Sequence, residues 1–203
     1  MNSSMNMSLP FERIKKLDIF RVMCVRNEVP PQEFTSTPRK AAMGITIRKA
    51  VPSDGPVILS LVEALAAYEK LDPPDREARE RLLRDLFSGR PRLECYLAEM
   101  EGRSCGYAFV LETYSSFLAL PTLYLEDLFV LPESRGKKAG YALYTEMVRE
   151  ARARGCGRME WTVLDWNEPA INFYKRSGAR HMKEWHLYRL VREDMERITG
   201  KEV

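Results

Sequence analysis

From Met43 onward the apolar residues fall into strand-like and helix-like periods, whereas before it they do not. Gly44-Ile45-Thr46-Ile47-Arg48-Lys49 alternates with period two and predicts a strand. Ser53-Asp54 then offers a cap for an apolar series at Ile58, Leu61, Val62, Leu65 and Tyr68, which has helical spacing. Pro73-Pro74 breaks the chain, and Leu82, Leu83, Leu86 and Phe87 predict a second helix ended by Gly89. Three strand-like runs follow, Leu93–Glu99, Ser104–Glu112 and Thr122–Leu131, and the Glu101-Gly102 turn between the first two predicts an antiparallel meander. A loop from Arg135 to Gly140 enters a helix through Leu143, Met147, Val148 and Ala151, stopped by Gly155, and a strand over Arg158–Leu164 comes next. Strand, helix and strand in that order make one right-handed crossover. A short helix from Pro169 to Ser177, stopped by Gly178, precedes a last strand ending near Val191. The expected fold is α/β, a mixed sheet with antiparallel entry and a parallel crossover in its middle.

Residues 1–43 lack this regularity: they open on Asn and Ser and carry Val29-Pro30-Pro31 and Thr35-Ser36-Thr37-Pro38. They read as an amino-terminal extension, disordered or loosely packed, ahead of a domain at 44–191 and a carboxy-terminal tail at 192–203. Phe11 to Val25 alternates apolar and basic residues, but Glu12 and Asp18 argue against a targeting presequence. Residues 1–42 hold seven Lys/Arg and four Asp/Glu, which accounts for the whole net charge of +3 and leaves the remainder neutral. A neutral domain has no strong field for nucleic acid or an anionic membrane, and a small-molecule partner is expected instead. With 203 residues and 45% hydrophobic content, the chain can bury one sizeable core.

Cys24, Cys95, Cys105 and Cys156 lie far apart, with no C-x-x-C pair and no histidine at ligand spacing, so no metal site is expected. Such cysteines suit a reducing cytoplasm, and no apolar run approaches the roughly 18–20 residues of a membrane span.

Two stretches carry candidate chemistry on their own. In Leu128-Phe129-Val130-Leu131-Pro132-Glu133-Ser134-Arg135-Gly136-Lys137-Lys138-Ala139-Gly140 a buried strand runs into a glycine-containing loop that opens a helix. Backbone N–H groups at a helix start are unpaired and can grip a pyrophosphate; an ordinary basic strand-to-helix turn has the same pattern, and the loop alone does not choose. Just upstream, Glu126 and Asp127 interrupt the apolar run Tyr124 to Val130. Alternation sends the two carboxylates to opposite faces, so at least one points to the covered side of the sheet, where it must be paired, sit at an edge, or serve a function.

A third stretch is more specific: Asp165-Trp166-Asn167-Glu168-Pro169-Ala170-Ile171-Asn172-Phe173-Tyr174-Lys175-Arg176-Ser177-Gly178-Ala179. Together with Tyr124 to Val130 and the Arg135 loop, it closely resembles the GNAT acetyltransferase superfamily, and within it the diamine (spermidine/spermine) N-acetyltransferase branch. The resemblance covers roughly residues 44–191. It implies a GNAT-like mixed, splayed sheet flanked by helices, acetyl-CoA as cosubstrate without a metal, a small primary amine as acceptor, and a homodimer.

The same resemblance assigns roles by position. Arg135, Gly136, Lys137, Lys138, Ala139 and Gly140 correspond to the loop for the coenzyme pyrophosphate, and Leu128, Phe129 and Val130 to the strand beside the pantetheine arm. Asn167 corresponds to a coenzyme contact, and Tyr174 to the tyrosine that protonates the departing thiolate. Glu126 and Asp127 correspond to acids that hold the ammonium groups of the substrate and move its proton; Glu69 and Glu184 match further acidic positions that, on the residues alone, are as well read as solvated surface glutamates. His181 and His186 match no catalytic position. The family usually has a second glycine where this chain has Lys138: a positive φ there strains a lysine, whereas a side chain turned to phosphate adds charge.

The implied reaction is direct attack of a neutral amine on the thioester, with a strand N–H near Leu128 at the oxyanion, Glu126 accepting the amine proton and Tyr174 supplying one to sulfur. The rival readings are a non-catalytic coenzyme-A-binding module, suggested by Lys138 and the extension, and a nucleic-acid or membrane-surface protein using the basic extension. Which amine is acetylated is left open among polyamines, short diamines, thialysine-like amino acids and other primary amines.

Overall fold

In chain order the elements are β1 (Arg39–Ala41), β2 (Ile45–Lys49), α1 (Gly55–Glu69), α2 (Arg76–Phe87), β3 (Glu94–Met100), β4 (Arg103–Ser115), β5 (Leu120–Val130), α3 (Ala139–Ala153), β6 (Arg158–Glu160), α4 (Glu168–Arg176) and α5 (Arg192–Ile198). They are seen in a computed structural model that describes residues 39–41 and 44–200. Among the described residues the six strands form one sheet in sequence order, antiparallel from β1 to β5 and parallel between β5 and β6. This is the mixed sheet expected from the sequence, but its parallel crossover, β5 to β6, lies at the edge instead of in the middle.

Period two in the strands creates two cores, one on each face. Ile58 and Leu61 of α1 and Leu86 of α2 pack on Cys95, Leu97, Tyr107, Phe109 and Phe129. On the opposite face Ala139, Leu143, Met147 and Ala151 of α3, spaced for one helical stripe, cover Ile45, Ile47, Ala98, Ala108, Val110, Leu123, Leu125 and Val130. Arg154, just past α3, donates to Glu94, Glu150 and the Tyr96 hydroxyl, which ties the end of this helix to β3. Arg48 joins β2 to Asp54 and Glu99 in the same way at the start of α1.

The sheet departs from the sequence pattern at its margins. β1 lies inside the stretch read as an extension; three residues without an apolar alternation give no strand signal, and the strand is set by its pairing with Ile45–Ile47. Helix α2 ends at Phe87 with Ser88 extended, so Gly89 does not supply a left-handed cap. β6 stops at Glu160 instead of reaching Leu164, because its pairing with β5 covers only Thr122–Tyr124. The expected last strand is absent: residues 180–191 are exposed and carry no strand, since a ladder needs a partner edge and β6 is too short to give one. Within the expected tail, Arg192–Ile198 forms α5. The Glu101-Gly102 hairpin stands as expected, with φ of 53° and 75°.

Candidate active site

Strand β5 positions the acidic residues through a β-bulge. Val110 of β4 faces Leu125 and its neighbour Phe109 faces Asp127, so Glu126 is an extra residue with no partner across the ladder. Before the bulge Leu123 and Leu125 point to the α3 core; after it Leu128 and Val130 do. Simple alternation therefore fails here, and its reason is the inserted residue: Glu126 turns out to solvent, while Asp127 shares the α1–α2 face with Phe129. There the Tyr107 hydroxyl donates to Asp127 Oδ2 at 3.0 Å. Tyr107 is wholly buried, so its hydroxyl needs this partner. Burial pushes the Asp127 carboxyl up to about 6; the Tyr107 hydrogen bond opposes the shift, and the charges of Glu126 and Glu69 reinforce it.

Glu69, the last residue of α1, is thus near enough for its charge to act on Asp127, as Glu126 does. Glu184 does not join them in the described residues: the last strand expected there is absent, and it lies exposed beside Trp185.

Downstream of the bulge the β6 side of β5 is open, because β6 pairs only with Thr122–Tyr124. Leu128, Phe129 and Val130 line the open length and lead through a 3-10 turn at Pro132–Ser134 into the Arg135–Gly140 loop. Gly136 and Lys138 both adopt left-handed backbone, with φ of 75° and 70°. The first intrahelical bond of α3 runs from Ala142 N to Lys138 O at 2.9 Å, leaving the amides of Ala139, Gly140 and Tyr141 at the free end of the helix. Beneath them a Cβ on Gly140 would sit 3.7 Å from Val130 and 3.9 Å from Leu128, so the helix start lies close over the end of β5. Free amides, a 15-residue helix and the exposed Lys137 and Lys138 fit an anionic group such as a pyrophosphate. Lys138 holds a left-handed φ with a Cβ present, which bears out the strain its sequence position raised.

Arg135 sits at the mouth of this loop. Its Nε donates to Val130 O at 3.0 Å, and its guanidinium lies 4.4 Å from the centre of the Tyr68 ring and 5.7 Å from that of Phe129. On the other side of the opening Asn167 caps α4, accepting from Ala170 N, and its Oδ1 also accepts from the Tyr68 hydroxyl at 3.3 Å. Tyr174 projects from α4 into an aromatic cluster, 4.8 Å from Trp161, 5.2 Å from Phe173 and 6.1 Å from Tyr144 between ring centres. Burial, with a smaller effect of Tyr144, pushes its hydroxyl up to about 12, which favours the protonated form near neutral pH. Sequence reasoning missed Tyr68 and Tyr107. Both contacts join residues far apart in the chain, and the second depends on a register shift that no single strand displays.

His181 and His186 are exposed, and no cluster of His, Cys, Asp or Glu able to hold a metal occurs among the described residues. Nor is any described helix long and apolar enough to cross a membrane.

Residues 61–179 match the model of the Acetyltransferase (GNAT) family. The chain is 35% identical to a thialysine N-epsilon-acetyltransferase of Sus scrofa over 169 residues, covering 77% of this chain and 98% of the relative. It is 28% identical to an L-ornithine N5-acetyltransferase of Arabidopsis thaliana, covering 80% of this chain and 91% of the relative. A spermidine/spermine N(1)-acetyltransferase-like protein of Homo sapiens is 34% identical over 73% of this chain and 23% of its own length. Among solved structures, an integron cassette protein of V. cholerae superposes with a TM-score of 0.66 at 22% identity, over 78% of this chain and 99% of that one, and speaks for the fold alone.

Two stability measurements follow from the geometry. Lys138→Gly removes a left-handed lysine and is expected to raise stability by about 0.5–1 kcal/mol in urea unfolding, the gain being limited by the greater freedom of glycine in the unfolded chain; a destabilised variant contradicts the strain. For Asp127, the native carboxyl keeps its proton up to about 6, while the ordinary value is 3.8. The native state therefore binds more protons between these values, and the contribution of this group is full below 3.8 and lost as the pH rises through 6. Asp127→Asn escapes the loss, so its advantage over the parent grows from pH 4 to pH 8 by about 1–3 kcal/mol. Thermal or urea melts at both pH values measure it, and a constant difference refutes it.

Proposed function

The chain belongs to the GNAT acetyltransferase family and is an acetyl-CoA-dependent N-acetyltransferase, and from that premise we propose that its acceptor is a small primary amine carrying a second positive charge. Diamines, polyamines and amino acids with a basic side chain meet this description, and the quoted relatives are named for thialysine, ornithine and spermidine/spermine. The observation that carries the reading is the acidic group of Asp127, Glu126 and Glu69 at the bulge of β5. Mutually repelling carboxylates, one of them largely withdrawn from water, gain most from a ligand with two ammonium groups. A non-catalytic coenzyme-binding role has no comparable support, since these relatives are named as acetyltransferases.

In this reading Asp127, fixed by Tyr107, pairs with one ammonium group, and Glu69 lends charge from the end of α1. The exposed Glu126 accepts a proton from the reacting nitrogen, directly or through water, and passes it to solvent. The neutral nitrogen forms a bond to the thioester carbonyl carbon and gives up its second proton to Glu126 or water, the carbon–sulfur bond breaks, and Tyr174 donates its proton to the sulfur and regains one from solvent. A β5 amide near Leu128, on the length left open by β6, stabilises the oxyanion. Arg135, Asn167 and the amides from Gly136 to Gly140 hold the coenzyme, whose thioester supplies the acetyl group. Lys137 and Lys138 add positive charge beside the pyrophosphate.

The exposed apolar residues Met182, Trp185, Leu187, Tyr188, Leu190 and Val191 support a homodimer in which a second copy covers them. Cys95, Cys105 and Cys156 are free thiols, as a cytoplasmic location requires. Residues 1–43, 44–191 and 192–203 remain our division into extension, catalytic domain and tail, with β1 as an edge strand contributed by the extension.

The deciding experiment compares kcat/KM for a diamine and a monoamine of equal length. The parent is expected to favour the diamine by about 5- to 100-fold, and Glu126→Gln and Asp127→Asn to reduce that preference. No preference in the parent, or full retention in both variants, removes the acidic acceptor site. Tyr174→Phe keeps the ring packing and loses the donor, so kcat is expected to fall about 10-fold or more with coenzyme binding nearly unchanged. Equal kcat excludes Tyr174 from the proton transfer.

A further inference from the structure

Tyr68 has no role in the reading above, yet it touches residues from both sides of the opening. Its ring lies under the Arg135 guanidinium at 4.4 Å and close to Phe129 of β5 and Trp166 of the α4 approach, at 6.3 and 5.8 Å between centres. Its hydroxyl donates to Asn167 Oδ1 at 3.3 Å. Phe129 and Trp166 lie near the ring, and this one side chain contacts two groups that the chain places 32 residues apart, Arg135 and Asn167. The position of α1 fixes Tyr68 in turn, through the buried Ile58 and Leu61.

The consequence for Arg135 is specific. A solvent-exposed arginine samples many rotamers, and ordering it on binding costs entropy. Arg135 is exposed, but the Nε bond to Val130 O and the Tyr68 ring 4.4 Å from its guanidinium restrict it, while both Nη groups have no hydrogen-bond partner among the described residues. A planar cation held by one edge and one face, with its other donors free, is arranged for an anion beside the Arg135–Gly140 loop. Asn167 is held from the opposite side by the same tyrosine, with its Oδ1 shared between Tyr68 and the Ala170 amide.

We propose that Tyr68 is a positioning residue for the coenzyme: its ring orients Arg135, its hydroxyl orients Asn167, and it thereby sets the affinity of the groove before any amine binds. The proposal rests on the assignment of Arg135 and Asn167 to the coenzyme site. Since Glu69 follows Tyr68 at the end of the same helix, the two ligand sites share one support.

The test measures the Kd of CoA itself by titration calorimetry on the full chain, without acceptor and without turnover. A first cycle uses Tyr68→Leu, Arg135→Ala and the double variant. Tyr68→Leu is expected to weaken CoA binding about 10-fold in the parent and less than about 2-fold when Arg135 is already alanine. A second cycle uses Tyr68→Phe, which keeps the ring, with Asn167→Ser, which keeps a capping oxygen for α4. Tyr68→Phe is expected to weaken binding about 3-fold in the parent and not at all beside Asn167→Ser. A residue that only supports the fold gives the same factor in both backgrounds, and additive effects in both cycles overturn the proposal. If Tyr68→Leu does not fold, the Phe cycle decides alone. A parent that neither binds CoA nor acetylates an amine overturns the acetyltransferase assignment as well, whereas a parent that binds it and shows additivity overturns only the role of Tyr68.

Discussion

Between Leu125 and Asp127 strand β5 carries one residue more than the strand it pairs with, and the arrangement of the site follows from that insertion. Without Glu126 as a bulge, period two would place Asp127 on the face of Leu123 and Leu125, under α3, in a core with no polar partner for it. The insertion moves Asp127 to the opposite face, where the Tyr107 hydroxyl meets it, and turns Glu126 outward. It also restores Leu128 and Val130 to the α3 core, so the strand can deliver the helix start over its own end. Bulges bend a strand and increase its twist. The pairing of β5 with β6 ends at Tyr124, just before the bulge, so the bulged length of β5 runs on without β6.

How far the sequence could be read depended on whether a feature is local. Period-two runs from Ile45, Glu94, Arg103 and Leu120 announce their strands because each buries one face or both, and Gly155 and Gly178 mark helix ends by a backbone that only glycine adopts without strain. The bulge is not local: that Glu126 is the extra residue can be known only by counting against Phe109 and Val110. β1 was missed for a related reason, since three residues at an edge are held by backbone pairing rather than by pattern. The apolar residues from Met182 to Val191 misled in the other direction, having strand-like composition without a free edge to join. In the candidate site, Arg135, Asn167 and Tyr174 were singled out through a resemblance over consecutive residues, whereas Tyr68 and Tyr107 enter it through contacts that only the fold brings about.

Two features weaken the fold where the chemistry is proposed. Asp127 is a carboxyl withdrawn from water with a tyrosine hydroxyl as its hydrogen-bond partner, and Lys138 is a lysine in a left-handed backbone. Such departures persist only where surrounding packing over-determines the structure. The surroundings do so here: Tyr107, Phe109 and Phe129 surround the first with fully buried rings, and Ala139, Leu143 and Met147 seat the helix that begins at the second.

The distribution of charge completes the picture of a chain whose regular part is neutral. The acceptor proposed here is cationic and the coenzyme anionic, so a uniform field of either sign would attract one and repel the other. β5 separates the two requirements along its own length. Its bulge presents Glu126 and Asp127, with Glu69 from α1 nearby, and its carboxyl end presents Arg135, Lys137, Lys138 and the free amides of α3. Tyr68 stands at the boundary, stacked on the cation of one region and adjacent in sequence to an acid of the other. An aromatic ring suits that place because it can hold Arg135 by its face without neutralising it, whereas a carboxylate at position 68 would use up the charge proposed to meet the coenzyme.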